Sequence, residues 1–174
     1  LLEKKLQEIA AKYRLNLLGP NCLGFVNNSL PLNATFSSVH APVGNIRFIS
    51  QSGALASGIF DWCEEKTLGL SEFITLGNKA DINENDVLQY FLDKEQGGPV
   101  GLYLESINNG PELLRLCREI AKKDPVFILK PGKNEAAKAA MQSHTGAIAG
   151  EDFVLEAALS QNGIIRCQTL EEFF

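Results

Sequence analysis

The sequence has no excess of basic residues, no long apolar run and no paired cysteines. Each absence closes off a class of function. Its 16 Lys and Arg against 21 Asp and Glu leave a net charge of −5, whereas a nucleic-acid face needs the opposite sign. Small anions are not excluded, because backbone dipoles bind them locally even in an acidic protein. No apolar stretch approaches the roughly 18 residues of a membrane span. The opening Leu1-Leu2-Glu3-Lys4-Lys5-Leu6 has neither the basic start nor the cleavage site of a signal peptide. Neither nucleic acid nor membrane is an expected partner. The 4 cysteines, Cys22, Cys63, Cys117 and Cys167, are scattered without a C-x-x-C pair, and read as reduced, mostly buried thiols of a cytoplasmic protein. No metal site is expected. No G-x-G-x-x-G follows the first strand, which removes the support for a generic dinucleotide binder. No internal repeat or low-complexity tract occurs. No methionine opens the chain, which starts in a helical pattern and stops in another at 170–174; it reads as a piece of a longer polypeptide.

What is present is ordinary globular material: 174 residues, 45% hydrophobic and 21% charged, enough for one domain with a real core. Residues 1–14 put Leu2, Leu6, Ile9, Ala10 and Tyr13 on one helical face. An apolar step from Leu15 to Leu18 meets Gly19-Pro20-Asn21, and residues 27–45 read as loop or short edge strands. A regular alternation follows. Strands are expected at Ile46 to Ser50, Glu72 to Leu76, Val100 to Glu105, Val126 to Lys130 and Gly163 to Cys167. Helices are expected at Gly53 to Lys66, Asn83 to Lys94, Pro111 to Lys123, about Asn134 to Met141, and Glu151 to Asn162. Short, almost wholly apolar strands alternating with helices predict a three-layer α/β fold with a mostly parallel sheet covered on both faces. Ligands of such sheets sit beyond the carboxyl ends of the strands. The loops to watch are therefore Gly19 to Gly24, Ser50 to Gly53, Gly77 to Asn83, Glu105 to Gly110 and Lys130 to Gly132.

Five segments on or near that rim carry candidate chemistry. In Ser50-Gln51-Ser52-Gly53-Ala54 small residues open a helix, so a phosphate could approach its N–H groups; a plain Ser N-cap with a packing glycine explains the same residues. In Gln142-Ser143-His144-Thr145-Gly146-Ala147-Ile148-Ala149-Gly150 one of only 2 histidines sits among small polar and small apolar neighbours. Imidazole is a nucleophile near neutral pH, and a surface histidine in a loop is the plainer alternative. The other histidine, His40, has no assigned role. Glu105, closing a buried strand, could accept a hydrogen bond from an imidazole and fix its tautomer, or be a solvated acid. Gly19-Pro20-Asn21-Cys22-Leu23-Gly24 sets a rigid turn, in which Cys22 lacks a partner base and reads as a packing thiol. Gly77-Asn78-Lys79-Ala80-Asp81-Ile82-Asn83 reads equally as a rim loop or as a loop with a helix N-cap at Asp81 or Asn83.

Taken in order and spacing, these five segments resemble the α component of the NDP-forming acyl-CoA synthetases. The ADP-forming, acetate-type branch fits best, and succinyl-CoA synthetase is a more distant relative. The resemblance covers essentially the whole chain. It implies a flavodoxin-like, Rossmann-like domain over residues 17–174, preceded at 1–16 by the last helix of a CoA-binding domain. It also implies a reaction: acyl-CoA, phosphate and ADP interconvert with acid, CoA and ATP through a phosphohistidine. By resemblance His144 is that histidine and Glu105 the carboxylate that orients it. Ser52, Gly53 and Ala54, with Thr145 and Gly146, hold the phosphate, and Asn21 and Cys22 lie near the CoA thioester. CoA and ADP or ATP with Mg²⁺ would bind mainly outside this piece, on a CoA-binding domain and an ATP-grasp domain or subunit. The remaining substrate is a small carboxylic acid. Succinate-using relatives carry a tyrosine where this chain has Ser57, which argues against succinate. A similar domain is fused to protein lysine acetyltransferases as a regulatory element; the intact Ser143-His144-Thr145-Gly146 favours catalysis over that alternative.

Overall fold

The computed structural model describes residues 2–36, 42–94, 96–131 and 152–173. His40, the expected helix at Asn134 to Met141, and the segment holding His144, Thr145 and Gly146 lie outside the described residues. The chain runs α1 (Leu2–Tyr13), β1 (Gly24–Asn27), β2 (Leu32–Thr35), β3 (Val43–Ser50), α2 (Gly53–Glu65), β4 (Leu70–Thr75) and α3 (Glu84–Asp93). It continues with β5 (Val100–Tyr103), α4 (Gly110–Ala121), β6 (Val126–Leu129), α5 (Asp152–Gln161), β7 (Ile165–Cys167) and α6 (Leu170–Phe173).

The strands form a 7-stranded sheet in the order β2-β1-β4-β3-β5-β6-β7. From β4 to β7 all pairs are parallel, while β1 is antiparallel to both β2 and β4. Successive side chains go to opposite faces, as the two-residue period of a strand requires. Ile49, Leu102 and Ile128 join α3, α4 and α5 in one core, with Leu88, Phe91, Leu113 and Leu116. Phe48, Phe73 and Leu129 join α2 and α6 in the other, with Ile59, Phe60 and Phe173. The second core is built on rings: Phe48 and Phe73 stack at 5.3 Å, and Phe60 meets Phe73 at 4.5 Å. Each fully buried side chain of this kind contributes about 1.5–3 kcal/mol, so the three-layer arrangement follows from the strand pattern itself.

Helix starts are also set locally. Ser52 caps α2, its Oγ accepting the Leu55 N–H. Asn83 caps α3 in a capping box with Asp86, so of the two candidates it is Asn83 that serves; Asp81 instead accepts the Leu17 N–H at 2.8 Å. Asn109 caps α4, with Pro111 in its first turn.

Two features go beyond the sequence pattern. Leu15 to Leu18 is coil, and the strand on that side is β1, starting at Gly24. The Gly19 to Gly24 loop nevertheless reaches the carboxyl-end rim of the sheet. Because β1 is antiparallel to β4, its start lies beside the end of β4: Phe25 pairs with Ile74, and Gly24 N–H donates to Thr75 Oγ1 at 2.8 Å. Second, the apolar face of α1 buries only Ala10, while Leu2, Leu6, Ile9 and Tyr13 remain exposed.

Candidate active site

From β3 the chain crosses through α2 to β4 on one side, then returns through α3 to β5 on the other. The carboxyl ends of β3 and β5 therefore flank a topological switch point, where a crevice must open because the two connections leave in opposite directions. A cleft of about 980 Å³ lies there, lined by Asn21, Cys22, Gln51, Ser52, Gly53, Ala54, Ser57, Glu105 and Ser106 among others. Six residues singled out in the sequence (Asn21, Cys22, Ser52, Gly53, Ala54 and Glu105) thus face one space. They come from three loops separated by up to 84 positions, as Asn21 and Glu105 are.

One wall is the start of α2. The Ser52 hydroxyl caps the helix, and the first-turn N–H groups of Gly53 and Ala54, which have no intrahelical acceptor, border the cleft. Capping and anion binding are therefore compatible here, since the cap uses Leu55 N–H and leaves the earlier donors. The opposite wall is the turn after β5. Glu105 is half-buried, and its charge adds to burial in pushing the Tyr103 phenol above its ordinary value. Lys130, at the end of β6, donates from Nζ to the Glu105 carbonyl at 3.1 Å. Burial pulls the Lys130 ammonium below its ordinary range, Arg166 adds to this, and Asp152 opposes it.

The floor is two interlocked loops. Asn78 N–H donates to Pro20 O and Ala80 N–H to Gly19 O, both at 2.9 Å. Gly77 makes that approach possible: it sits at φ +58, and a Cβ there would stand 2.2 Å from the Pro20 carbonyl oxygen. Asn21 Nδ2 reaches Asn78 Oδ1 at 3.3 Å, and Asn78 Nδ2 reaches Glu3 of α1 at 2.6 Å. Lys79 turns inward, its Nζ on Glu84 at 2.9 Å and on the Ser106 carbonyl at 2.8 Å. Gln51, Lys79, Glu84 and Lys130 have no individual role legible in the sequence: apart from the Lys79–Glu84 pair itself, their partners are remote in the chain.

The cysteines have different surroundings. Burial pushes the Cys63 thiol up to about 11 and the Cys117 thiol up to about 12, and raises Cys167, with Glu172 adding to the rise. Cys22 is half-buried on the cleft. Alkylation of the native protein near pH 8 should therefore modify Cys22 about tenfold or more faster than the other three. Peptide mapping reads this directly, and equal modification of Cys63 or Cys117 would contradict the packing described. Among the described residues, no group of His, Cys, Asp and Glu has the arrangement of a metal site, and no helix is long and apolar enough to cross a membrane.

Residues 43–174 match the family described as succinyl-CoA ligase like flavodoxin domain. The chain belongs to this family. Over 171 residues the domain is 46% identical to an ADP-forming acetate–CoA ligase of Methanocaldococcus jannaschii, covering 98% of this chain and 24% of that protein. It is 42% identical to the α subunit of an ADP-forming acetate–CoA ligase II of Pyrococcus furiosus, covering 98% and 37%. Among solved structures it is similar to the dinucleotide-forming acetyl-coenzyme A synthetase 1 of Ca. Korarchaeum cryptofilum in complex with phosphate and ADP. There the TM-score is 0.93 at 34% identity, over 99% of this chain and 38% of that one. The flavodoxin-like domain thus spans between about a quarter and two fifths of these relatives' lengths.

Proposed function

We propose that this domain is the phosphoryl-relay part of an ADP-forming acid–CoA ligase. Carrying that reading is one observation: the switch-point cleft gathers the α2 N-terminus, Glu105 and the Asn21–Cys22 turn in a chain 46% identical to an ADP-forming acetate–CoA ligase. An oxygen of phosphate attacks the acyl carbon of the thioester, the C–S bond breaks, and CoA leaves as thiolate. The His144 imidazole then takes the phosphoryl group from the acyl phosphate, releasing the carboxylic acid. ADP removes it as the P–N bond breaks, forming ATP. The Glu105 carboxylate accepts a hydrogen bond from the ring N–H of the imidazole and holds its tautomer. The N–H groups of Gly53 and Ala54, with Ser52, Thr145 and Gly146, cradle the phosphate, to which the helix dipole adds about 0.3–2 kcal/mol. Asn21 and Cys22 stand where the thioester would enter.

CoA, and ADP or ATP with Mg²⁺, belong mainly to a CoA-binding domain and an ATP-grasp domain or subunit of the whole protein, which would act in the cytoplasm. We assign residues 17–174 to the relay domain and 1–16 to the end of the CoA-binding domain. The exposed Leu2, Leu6, Ile9 and Tyr13 on α1 support this, as a surface that such a neighbour would cover.

Glu105→Gln in the full-length protein should slow phosphoryl incorporation from ATP by about 10- to 100-fold without lowering the unfolding temperature. Unchanged incorporation kinetics would remove Glu105 from the mechanism.

A further inference from the structure

We propose that Gln51 is a positioning residue for Glu105, its side-chain amide fixing the main chain on which the carboxylate is mounted. This rests on reading Glu105 as the group that orients the phosphoryl-carrying imidazole. The β3–β5 ladder closes with Gln51 N–H on Tyr103 O at 2.8 Å, and the β5–β6 ladder with Leu104 N–H on Leu129 O at 3.1 Å. The next two donors, the N–H groups of Glu105 and Ser106, lie past the last strand partner. One oxygen, Gln51 Oε1, accepts both, at 3.0 and 2.9 Å. The side-chain carbonyl thus continues the sheet where the backbone has already turned into α2.

The orientation of that amide is dictated by its partners, since two N–H donors require the oxygen. Its Nε2 then donates to Ser106 Oγ at 3.0 Å. From the other side, Lys130 Nζ holds the Glu105 carbonyl at 3.1 Å and Lys79 Nζ the Ser106 carbonyl at 2.8 Å. Both peptide groups flanking the Glu105 Cα are therefore anchored, which fixes its φ and ψ and so the direction of its Cβ. Each of these bonds is to main chain or to Ser106; none uses the Glu105 carboxylate. Because Gln51 also leads directly into Ser52-Gly53-Ala54, one residue sets the spacing between the helix start and the carboxylate.

The test follows phosphoryl incorporation from ATP in the full-length protein carrying Gln51→Met, Gln51→Glu, Glu105→Gln, and Gln51→Met with Glu105→Gln. Methionine keeps the length and removes the amide; glutamate keeps the acceptor. Gln51→Met should slow incorporation at least tenfold, with the ATP concentration for half-maximal rate unchanged and the protein still folded, at a lowered unfolding temperature because two N–H groups lose their acceptor. Gln51→Glu, which restores the acceptor but adds a negative charge beside the phosphate cleft, should be faster than Gln51→Met and slower than wild type. The double variant should be no slower than Glu105→Gln alone, because a residue acting through another adds nothing once that other is gone. A wild-type rate in Gln51→Met, equal slowing by Met and Glu, or additive losses in the double variant would each overturn the positioning role. If Glu105→Gln is slow and Gln51→Met is not, the mechanism stands and this inference falls. If Glu105→Gln is itself unaffected, the mechanism fails and takes the inference with it.

Discussion

Lys79→Met should cost about 3–5 kcal/mol of folding stability, read as a lowered denaturation midpoint at unchanged slope. The side chains of Lys79 and Glu84 are 2% and 0% exposed, with Nζ and Oε2 at 2.9 Å. Removing the ammonium leaves Glu84 with the Asn108 N–H at 2.7 Å but no counter-charge in a place water does not reach. It also strips the donor from the Ser106 carbonyl, loosening the turn that carries Glu105. Lys79→Met with Glu84→Gln should recover part of the loss, because the amide keeps an acceptor for Asn108 and carries no charge. A loss below about 1 kcal/mol, the scale of an exposed pair, or a double variant worse than the single, would contradict a buried pair bracing the two rim loops.

That pair shows what the sequence does and does not disclose. The strands were readable because Phe48-Ile49, Leu102-Tyr103 and Ile128-Leu129 face opposite ways in a sheet covered on both sides. Helix α4 was readable because Leu113, Leu116, Cys117 and Ile120 recur on one face. The cleft was readable because strand–helix alternation places ligands at the carboxyl ends, and Ser52 and Glu105 stood there. Lys79 and Glu84 looked like loop and helix-start charges; only the fold turns both inward. Gln51 and Glu105 are 54 positions apart, and no local pattern announces a side chain that substitutes for a strand. Strand β1 was missed because Gly24-Phe25-Val26-Asn27 is short and ends on turn residues. The amphipathic pattern of α1 was seen, yet a period says that a face is apolar and not what covers it.

The N-terminal edge of the sheet was also opaque. Arg47 is buried, its guanidinium on the Phe91 and Gly98 carbonyls and on Asp124 at 3.2 Å, and burial lowers it from its ordinary value while Asp124 and Glu72 oppose the change. Within the alternating strand Ile46-Arg47-Phe48 it would ordinarily read as solvent-facing. These anchors close the end of the sheet opposite the cleft.

The second large effect is at His144. In the proposed relay the phosphoryl group sits on His144, whose sequence neighbours Ser143, Thr145 and Gly146 are small; the other of the 2 histidines, His40, lies in a segment with no matching motif. His144→Ala should therefore abolish ATP formation from acyl-CoA, phosphate and ADP, rather than slow it by the 10- to 100-fold expected for an orienting group. The most direct measurement is to incubate the full-length protein with γ-labelled ATP and Mg²⁺ and map the label. One acid-labile, base-stable phosphoryl group should be found on His144 and be absent in His144→Ala. No label in the wild type, or equal label in His144→Ala, would contradict the proposed relay.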